Sequence, residues 1–432
     1  MNINKILCML ENDEFLKVFK YIYGEDKTAV EYQKERYINA VKNFAKVYPE
    51  SCDIKIFSSP GRTEIGGNHT DHQHGCVLAA SVNLDAIAVV SFHNDKVIRI
   101  KSEGYDEFNV TLDSLSVRRE EMGTSSAIVR GICAKFKEKG AKIGGFNLYC
   151  TSDVLSGSGL SSSAAFETLI GTIIDSEYNE NKAGQVEIAK IGQYAENVYF
   201  GKNSGLMDQM VCSVGGLVSI DFYDTENPEI MPFQFDFEKL GYCLCITDTK
   251  GSHANLTDDY VAIRKEMESV ANYFGKSFLR DVDVNKFYEE VPKIRKVCSD
   301  RAVLRATHFF SENRRAKQEA DALSECNMEY FLSLVRESGE SSESLLQNLY
   351  SCANPLEQAI SLGIMMSKKI LKGRGAVRVH GGGFAGTIQA FVPLDMAKSY
   401  VKEMDRIFGE GSCQKLRIRP VGGIEITKRV GE

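Results

Sequence analysis

The sequence predicts a fold that mixes helices and strands, and its 432 residues are enough for two domains. Strand-like runs dominate residues 53 to 112, whereas helical patterns dominate the C-terminal half as far as Leu371. Between these regions a strand-like run, Gly145 to Cys150, passes through a glycine-rich turn into a helix that continues to about Glu177. We therefore expect sheets and helices that pack around a large hydrophobic core.

The N-terminal half begins with a helix and continues with strands. Apolar residues recur at helical spacing from Glu31 to Tyr48, and Pro49 follows them. A polar, turn-rich loop is predicted from Ser59 to Gly75. The strand-like runs lie on both sides of this loop, at residues 53–57, 76–82, 85–92, 97–101 and 108–112. A turn-rich loop on a rigid sheet suits a binding site.

The C-terminal half combines a buried strand, long helices and short closing strands. Tyr242 to Thr247 has the pattern of a buried strand. Met396 to Phe408 is predicted as the last helix, and short strands follow at residues 414–418 and 423–426. The sequence has no internal repeat and no low-complexity linker, so composition marks no domain boundary.

Composition indicates a globular enzyme rather than a membrane or nucleic-acid-binding protein. Hydrophobic residues make up 43% of the chain and charged residues 26%, values that are typical of a packed soluble protein. The net charge of −7 argues against a nucleic acid or an anionic membrane as partner. No apolar run reaches the length of a membrane span, and the first residues lack a signal peptide's features. The twelve cysteines are scattered without a Cys-x-x-Cys pair, so we expect a reduced, cytoplasmic protein.

The stretch from Val154 to Glu167 has the pattern of a phosphate-binding loop. Gly157 and Gly159 permit positive φ angles and a close approach of the backbone to a ligand. Ser161 to Ser163 then place hydroxyl and N–H groups at a helix N-terminus, where the helix dipole favours an anion. No Gly-Lys-[Ser/Thr] closes the stretch, so it is not a Walker A loop. A simple helix cap after a flexible turn is the alternative that this stretch leaves open.

Three of the seven histidines, His69, His72 and His74, lie in the polar loop beside Asp71. Imidazole and carboxylate groups bind zinc well, but this spacing matches no zinc signature, and no distant Cys or Glu cluster completes a ligand set. A loop that offers Arg62, His69 and Asp71 to a polyhydroxylated ligand explains the pattern better, because a sugar needs several fixed donors and acceptors. We therefore favour a sugar-binding loop over a metal site.

A glycine-rich run near the C-terminus, Gly381-x-Gly383-x-x-Gly386, formally matches the dinucleotide-binding fingerprint. The residues that follow, Thr387 to Val392, have the pattern of a strand, whereas the fingerprint must open a helix. A Rossmann dinucleotide site is therefore not expected here.

The phosphate-binding stretch resembles the loop of the small-metabolite kinases that include galactokinase, homoserine kinase, mevalonate kinase and phosphomevalonate kinase (the GHMP kinases). The polar loop narrows this resemblance to the galactokinase family, whose signature reads Gly-Arg-Val-Asn-Leu-Ile-Gly-Glu-His-Thr-Asp-Tyr. Gly61 to His72 aligns with the signature without a gap, with Asn68 in place of the family's Glu and His72 in place of its Tyr. The matching residues are Gly61, Arg62, Gly67, His69, Thr70 and Asp71.

Further segments match galactokinase elements in the right order along the chain. Residues 201–209 resemble Gly-x-Pro-Cys-Gly-Ile-Met-Asp-Gln, with Asn203 and Ser204 in place of the Pro-Cys. Residues 252–264 resemble the family's His-x-Leu-x-x-x-x-Tyr-x-x-Arg and align Tyr260 with its tyrosine. The glycine-rich run resembles the family's Gly-Gly-Gly-Phe-Gly-Gly element, with Ala385 in place of one glycine.

The resemblance covers essentially the whole chain, and it implies the family's fold and activity. The implied fold is α+β with two domains: an N-terminal domain like ribosomal protein S5, a C-terminal domain with a ferredoxin-like layer, and an active site in the cleft between them. We assign residues 1–220 and 221–432 to the two domains. The implied reaction is phosphorylation of galactose at the C1 hydroxyl by ATP with Mg²⁺. The implied partners are the sugar and ATP alone, and the implied state is a monomer.

The resemblance also implies roles for individual residues. Asp208 is the catalytic residue that faces the anomeric hydroxyl, with Arg62 beside it. The Mg²⁺ ligands would be Ser163 and Glu196. The substrate-binding residues would be Asn68, His69, Asp71, Gly205 and Tyr260. The ATP-binding residues would be Gly157, Ser158, Gly159, Leu160, Ser161, Ser162, Ser163 and Ala164.

Two alternatives to a galactokinase stay open. Non-enzymatic sugar sensors resemble galactokinases but lose residues from the serine loop, whereas Ser161 to Ala165, Arg62 and Asp208 are all present here, which favours an enzyme. The second alternative is a galacturonokinase or a kinase for another galactose-like aldose. The family's Glu lies toward the C6 hydroxyl and would repel a carboxylate at C6, whereas Asn68 carries no charge. Plant galacturonokinases also lack this Glu and have an Asp-His-Gln run like Asp71 to Gln73. We rank galactose ahead of galacturonate.

Overall fold

The computed structural model describes residues 1–154, 159–252 and 256–430, and two sheets organise them. The strands, in chain order, are β1 (Lys55–Gly66), β2 (Cys76–His93), β3 (Val97–Ser102), β4 (Phe108–Thr111), β5 (Gly145–Ser152), β6 (Leu217–Asp221), β7 (Glu229–Phe233), β8 (Tyr242–Asp248), β9 (Ala376–His380), β10 (Thr387–Pro393), β11 (Cys413–Leu416) and β12 (Ile424–Glu425).

Helices surround the sheets and fill most of the C-terminal half. They are α1 (Ile3–Glu11), α2 (Leu16–Tyr23), α3 (Lys27–Val47), α4 (Ser125–Glu138), α5 (Ser162–Asn179), α6 (Gly184–Tyr194), α7 (Met207–Val214), α8 (Thr257–Tyr273), α9 (Val284–Val297), α10 (Asp300–Ser324), α11 (Met328–Ser341), α12 (Ala359–Leu371), α13 (Ala397–Phe408) and α14 (Ile426–Arg429). Some stretches of the chain contain mainly strands and others mainly helices, and elsewhere the two alternate. The α+β prediction is confirmed.

The two sheets differ in size and in the parts of the chain that they use. The larger sheet has the order β12-β1-β2-β5-β3-β4, and β6 pairs with both β2 and β7. The smaller sheet has the order β11-β8-β10-β9. Because β7 and β12 follow residue 220 yet pair in the larger sheet, sheet membership does not change at a single point in the sequence. The division into residues 1–220 and 221–432 stays a prediction.

The first strands are longer than the sequence pattern indicated. The predicted loop from Ser59 to Gly75 is wrong over its first half, because β1 continues to Gly66 and pairs with β2 along that length. The register shifts between Pro60 and Arg62 and again between Glu64 and Gly66. Proline and glycine indicated a loop because they are rare inside regular strands. The register shifts let this strand accommodate them. The runs predicted at residues 76–82 and 85–92 form the single strand β2.

Among the buried cores of the described residues, three bear most on the position of β1 and β2. Alternate residues of β2 face opposite sides of the larger sheet, so one face packs against α4, α5 and α6 and the other against α1, α2 and α3. A third core joins the two sheets, since Ile65 and Leu78 of the larger sheet pack in one cluster with Leu244 and Phe391 of the smaller one. This third core fixes the end of β1 relative to β8 and β10.

No helix in residues 1–154, 159–252 or 256–430 combines the length and the apolar content that crossing a bilayer requires.

Candidate active site

Arg62 and Asp208 form an ion pair where β1 meets the start of α7. The Nε and Nη2 groups of Arg62 donate to Oδ1 and Oδ2 of Asp208 at 2.6 and 2.7 Å. Ser161 donates its hydroxyl to Oδ2 of Asp208 at 2.5 Å, and Nη1 of Arg62 donates to the carbonyl of Gly159. The predicted catalytic pair is therefore in direct contact, and both members touch the predicted phosphate-binding loop.

The surroundings of Asp208 keep its carboxyl group ionised. Burial raises the pKa of this carboxyl, but the charge of Arg62 and the hydrogen bonds from Arg62 and Ser161 outweigh burial and hold the pKa below its ordinary value. The side chain still exposes 30% of its surface. An ionised carboxylate that a ligand can reach is able to accept a proton from a hydroxyl group.

The described part of the phosphate-binding loop has the backbone that a close approach requires. Gly159 has a φ of +72°, and a Cβ at this position would lie 3.1 Å from Oγ1 of Thr387 and 3.2 Å from Nδ1 of His380. Ser161 has a left-handed backbone, with a φ of 60°. Leu160 accepts a hydrogen bond at its carbonyl from the N–H of Arg62 at 2.9 Å. The predicted positions Gly157 and Ser158 lie outside the described residues.

The N-terminus of α5 is open toward this loop. In the described part of the chain, no side chain caps the helix there. Ser162 is half-buried, Ser163 is exposed and Ala164 is buried at its first turn. The first N–H groups of a helix have no partner within the helix, so an uncapped start binds an anion well. Ser162, Ser163 and Ala164 thus lie at an uncapped helix start, and their role in binding ATP stays a prediction.

His380 packs beside this loop as a neutral side chain. Its Nε2 lies 2.9 Å from the hydroxyl oxygen of Thr63, and its Nδ1 lies 2.8 Å from that of Thr387. Burial, followed by the charges of Arg62 and Arg378, lowers the pKa of His380 to about 3. The imidazole thus joins β1, β9 and β10 without adding charge next to Asp208.

Glu196 lies at the centre of a second polar cluster. It belongs to a turn of π-helix, Ala195–Phe200, that continues α6. Lys202 lies 2.8 Å from Oε1 of Glu196, and Ser204 donates its hydroxyl to Oε2 at 2.5 Å. The amide of Gln209 donates both to Oε2 of Glu196 and to Oε2 of Glu167, each at 2.9 Å. Asp208 directly precedes Gln209, so this cluster adjoins the catalytic pair.

Glu167, like Gln209 with its Oε1, leaves one buried oxygen of this cluster without a hydrogen-bond partner in the described residues. Glu167 lies on α5 one helical turn after Ser163, and the oxygen is its Oε1. Burial, followed by the nearby charge of Glu196, raises the pKa of Glu167 to about 8. A cation next to this oxygen would lower that pKa and provide the partner that the oxygen lacks.

The side-chain oxygens of Ser163, Glu196 and Glu167 suit a Mg²⁺ ion that is shared with a nucleotide. A serine hydroxyl and carboxylates are hard ligands, which Mg²⁺ prefers. Residues 1–154, 159–252 and 256–430 contain no group of three or more His, Cys, Asp or Glu side chains that could hold a metal by itself. Mg²⁺ commonly binds to one or two protein oxygens together with phosphate oxygens and water. Ser163 and Glu196 fit that arrangement, and the orphaned Glu167 oxygen is consistent with it.

The predicted sugar-binding residues surround the glycine-rich run that precedes β10. The amide of Asn68 donates to the carbonyl of Gly381 at 2.7 Å, and Nε2 of His69 lies 2.9 Å from that of Gly382. Tyr260 of α8 donates its hydroxyl to the carbonyl of Gly383 at 2.9 Å. The structure therefore brings the polar loop, α8 and the glycine-rich run together.

Asp71 of the polar loop lies close to the segment that leads into Asp208. A Cβ at Gly205 would lie 3.1 Å from Oδ2 of Asp71, so this glycine permits their close approach. Gly205 stands three residues before Asp208. His72 is half-buried, and the desolvation of its ring lowers its pKa to about 4, so this histidine is neutral. His74 stacks on Phe278 with a centroid distance of 3.6 Å. The rings of His69 and His72 contact each other edge to face with a centroid distance of 5.6 Å, whereas His74 packs on Phe278.

Sequence reasoning missed the buried network behind the polar loop. Asn68 is 1% exposed, and its amide also donates to Oε1 of Glu64 at 3.0 Å while its Oδ1 accepts from Asn348 at 3.0 Å. Arg378 of β9 donates to Glu64 at 2.6 Å and lies 3.5 Å from Glu312. A charged residue inside the apolar strand pattern Val377 to Val379 was the available signal, because a buried arginine needs a carboxylate partner.

The sequence matches two families over the segments that build this site. Residues 42–92 match the galactokinase galactose-binding signature and include Arg62 and Asp71. Residues 127–216 match the GHMP kinases N terminal domain and include Ser161 and Asp208.

Solved structures of such kinases have the same fold. Lactococcus lactis galactokinase complexed with galactose superposes with a TM-score of 0.75 at 23% identity, over 89% of this chain and 98% of that one. The Methanococcus jannaschii mevalonate kinase gives 0.61 at 13% identity, over 85% and 98%. Streptococcus pneumoniae phosphomevalonate kinase in complex with phosphomevalonate and AMPPNP gives 0.57 at 13% identity, over 86% and 99%. At these identities the structures establish the shared fold.

Proposed function

For this chain, a galactokinase-like sugar kinase among the GHMP kinases, we propose that ATP phosphorylates galactose at its C1 hydroxyl to give galactose 1-phosphate. The observation that supports this most is the position of Asp208. Ser161 of the phosphate-binding loop donates to it, and Gly205, three residues earlier, adjoins Asp71 of the polar loop. A base between a phosphate site and a sugar site is placed to serve phosphoryl transfer.

In the proposed reaction Asp208 accepts the proton of the C1 hydroxyl as the hydroxyl oxygen attacks the γ-phosphorus of ATP. The bond from that phosphorus to the bridging oxygen breaks, and ADP leaves. Arg62 keeps Asp208 ionised and adds positive charge where negative charge develops. The open N-terminus of α5, with Ser161 to Ser163, binds the phosphates. Most of the rate in such a reaction comes from positioning and charge stabilisation rather than from covalent chemistry.

We propose Ser163 and Glu196 as the residues that hold Mg²⁺. The ion supplies positive charge to the phosphate oxygens and helps to fix their orientation. Ser163 is exposed at the start of α5, and Glu196 is linked through Gln209 to Glu167 on the same helix. These two oxygens leave most of the coordination sphere to phosphate and water, as Mg²⁺ prefers.

We place the sugar against Asn68, His69, Asp71, Gly205 and Tyr260. Asp71 and His69 are half-buried and polar, so they can exchange hydrogen bonds with sugar hydroxyls. The amide of Asn68 is already bonded to Glu64, Gly381 and Asn348, so a hydroxyl must displace one of those bonds to reach it. Galacturonate remains the second candidate substrate, because this amide has no charge that would repel a carboxylate at C6.

A panel of sugars with Mg·ATP tests the proposal. ADP release should be fastest with galactose among galactose, galacturonate, glucose and arabinose, and the phosphorus NMR spectrum of the product should show a phosphate on C1. Asp208→Asn is the control for contaminating kinases. No ADP release with any aldose would contradict the proposed function. A preference for galacturonate of tenfold or more would reverse the ranking of the two sugars.

A further inference from the structure

The ammonium group of Lys202 lies on the carboxylate that we propose as a magnesium ligand. Its Nζ is 2.8 Å from Oε1 of Glu196. The side chain of Glu196 is 4% exposed, whereas that of Lys202 is 58% exposed. The carboxylate is therefore fixed and buried, and the lysine reaches it from the open side of the site with a long, flexible side chain.

Lys202 is also close to the groups that carry the proposed chemistry. Glu196 shares the amide of Gln209 with Glu167, and Asp208 is the neighbour of Gln209 in α7. The charge of Lys202 acts on both Glu167 and Asp208, where it favours the ionised carboxyl. The positive charge of Lys202 thus acts on three carboxyl groups near the N-terminal end of α5, where the phosphates are expected.

A divalent cation that binds Oε1 of Glu196 would compete with this ammonium group for the same oxygen. Two positive charges within a few ångströms repel each other, and a doubly charged ion binds a carboxylate more strongly than an ammonium does. The displaced lysine then stands beside the phosphate site as an unpaired cation. Lysine is a common phosphate ligand, because its ammonium is a compact point charge.

We infer that Lys202 exchanges partners during the reaction: it pairs with Glu196 in the nucleotide-free protein and contacts the γ-phosphoryl group of ATP once a divalent cation occupies Glu196. This inference rests on the proposed function, since it needs a nucleotide triphosphate as the phosphoryl donor. It makes Lys202 a catalytic residue in addition to Arg62 and Asp208. The competing interpretation is a fixed ion pair that only neutralises the buried Glu196.

Nucleotide binding separates the two interpretations. In Lys202→Met, the Kd of Mg·AMPPNP should rise about tenfold or more, while the Kd of Mg·ADP should stay the same or fall by up to about threefold, since only the triphosphate has the γ-group. Lys202→Arg keeps the charge and should bind both nucleotides nearly as wild type does. Lys182, paired with Glu180 on an exposed surface at 3.0 Å, provides the matched control Lys182→Met. An equal change for both nucleotides, or none, would overturn the γ-phosphate contact.

Binding of Mn²⁺ in the presence of saturating ADP, which supplies phosphate ligands but no γ-group, tests the exchange at Glu196. Electron paramagnetic resonance of the free ion should show Mn²⁺ binding about threefold or more tighter in Lys202→Met than in the wild type, because the competing ammonium is gone. Equal affinities would overturn the exchange. Both measurements are of binding, so they remain decisive if the sugar panel shows no transfer. In that case the proposed function fails, and the two binding measurements still decide whether Lys202 contacts Glu196 and the γ-phosphoryl group.

Discussion

The guanidinium of Arg62 holds the carboxylate of Asp208 by two hydrogen bonds, at 2.6 and 2.7 Å, across 146 residues of sequence. A planar guanidinium that binds both oxygens of a carboxylate fixes its orientation as well as its charge. Ser161 adds a third hydrogen bond from the phosphate-binding loop. The geometry of Asp208 therefore depends on β1, α7 and the start of α5 together.

Asp208→Asn should bind sugar and nucleotide but turn over poorly. The amide keeps the shape of the side chain but does not accept a proton at neutral pH, and the loss of a general base costs about 10²–10⁴ in rate. Steady-state kcat and calorimetric Kd values for both substrates measure the two effects. Asp300→Asn is the control, because Asp300 is an exposed partner of Arg295. A near wild-type kcat in Asp208→Asn would remove Asp208 from the mechanism.

Arg62→Met should move the acid limb of the pH–rate profile to higher pH. Arg62 holds the pKa of Asp208 below its ordinary value, and activity needs the ionised form. Activity is therefore present above that pKa and is lost as the pH falls through it. Removal of the guanidinium leaves burial to raise the pKa of Asp208, so the loss begins at higher pH.

The kcat/KM values of Arg62→Met and Arg62→Lys across pH check this expectation. The lysine keeps a positive charge beside Asp208, so its acid limb should lie closer to that of the wild type. An unchanged acid limb in Arg62→Met would mean that the limb reports another group.

Some of this site could be predicted from the sequence because its signals are local. Glycines and serines between a strand and a helix predict the start of α5 without knowledge of any partner. The resemblance added the pairing of Arg62 with Asp208, which spacing alone does not give. Glu64 and Arg378, by contrast, are 314 residues apart, and nothing near either residue indicates the other. Their contact exists only because the third core sets the two sheets side by side.

The course of β1 shows why strand limits were harder to predict. Pro60 and the glycines at 61, 66 and 67 indicate a loop by local rules. Pairing with β2 overrides those rules, since two register shifts absorb the irregular residues. A strand is stabilised by a neighbour that the local sequence does not contain, whereas the amphipathic helix α3 has its pattern within itself.

Ser163→Ala and Glu196→Gln should each impair the use of Mg·ATP more than the binding of sugar. Both side chains offer oxygen to the proposed Mg²⁺ position, and the replacements remove a hydroxyl or a charge. Apparent KM values for Mg·ATP over a range of free Mg²⁺ should rise, and the sugar Kd should stay near the wild-type value. A collapse of sugar affinity with a normal nucleotide response would contradict the placement of these ligands.

Asn68→Glu should destabilise the protein, and a second change at Glu64 should reverse part of the loss. The amide of Asn68 donates to Glu64 at 3.0 Å and to Gly381 at 2.7 Å, so a glutamate would set a carboxylate against a carboxylate and a carbonyl. The free energy of unfolding should fall by about 3 kcal/mol. Glu64→Gln in the same chain removes one of the two charges, so the pair should show a coupling of about 1 kcal/mol or more.

Urea unfolding of the two single variants and the double variant measures that coupling. The double variant also tests the substrate. It should retain activity toward galactose and lose any activity toward galacturonate, because a carboxylate at position 68 would repel the C6 carboxylate of galacturonate. Additive free energies would mean that the two side chains act independently, and an unchanged ratio of the sugars would mean that residue 68 does not face C6.

Glu319→Gln should stabilise the protein near neutral pH and have little effect in acid. Glu319 of α10 is fully buried against Gly66, and neither oxygen of its carboxyl has a hydrogen-bond partner in the described residues. Burial, followed by the charge of Glu312, raises the pKa of Glu319 well above its ordinary value of 4.5. The folded protein therefore keeps this proton at a pH where the unfolded chain has released it.

The sign of the effect follows from that difference in bound protons. As the pH rises above about 4.5, the unfolded state gains the free energy of ionising Glu319 and the folded state does not, so stability falls. A glutamine cannot ionise in either state, so Glu319→Gln should raise the free energy of unfolding at about pH 7.5 by on the order of 1 kcal/mol or more. Near pH 4 both states hold the proton, and the two proteins should have similar melting temperatures.

Glu325→Gln, at the exposed end of the same helix, is the matched control and should change neither the free energy of unfolding at neutral pH nor the melting temperature in acid. A gain of equal size at both pH values would show that the amide stabilises by a new hydrogen bond, and a loss at neutral pH would show that the folded protein uses the Glu319 carboxylate in its ionised form.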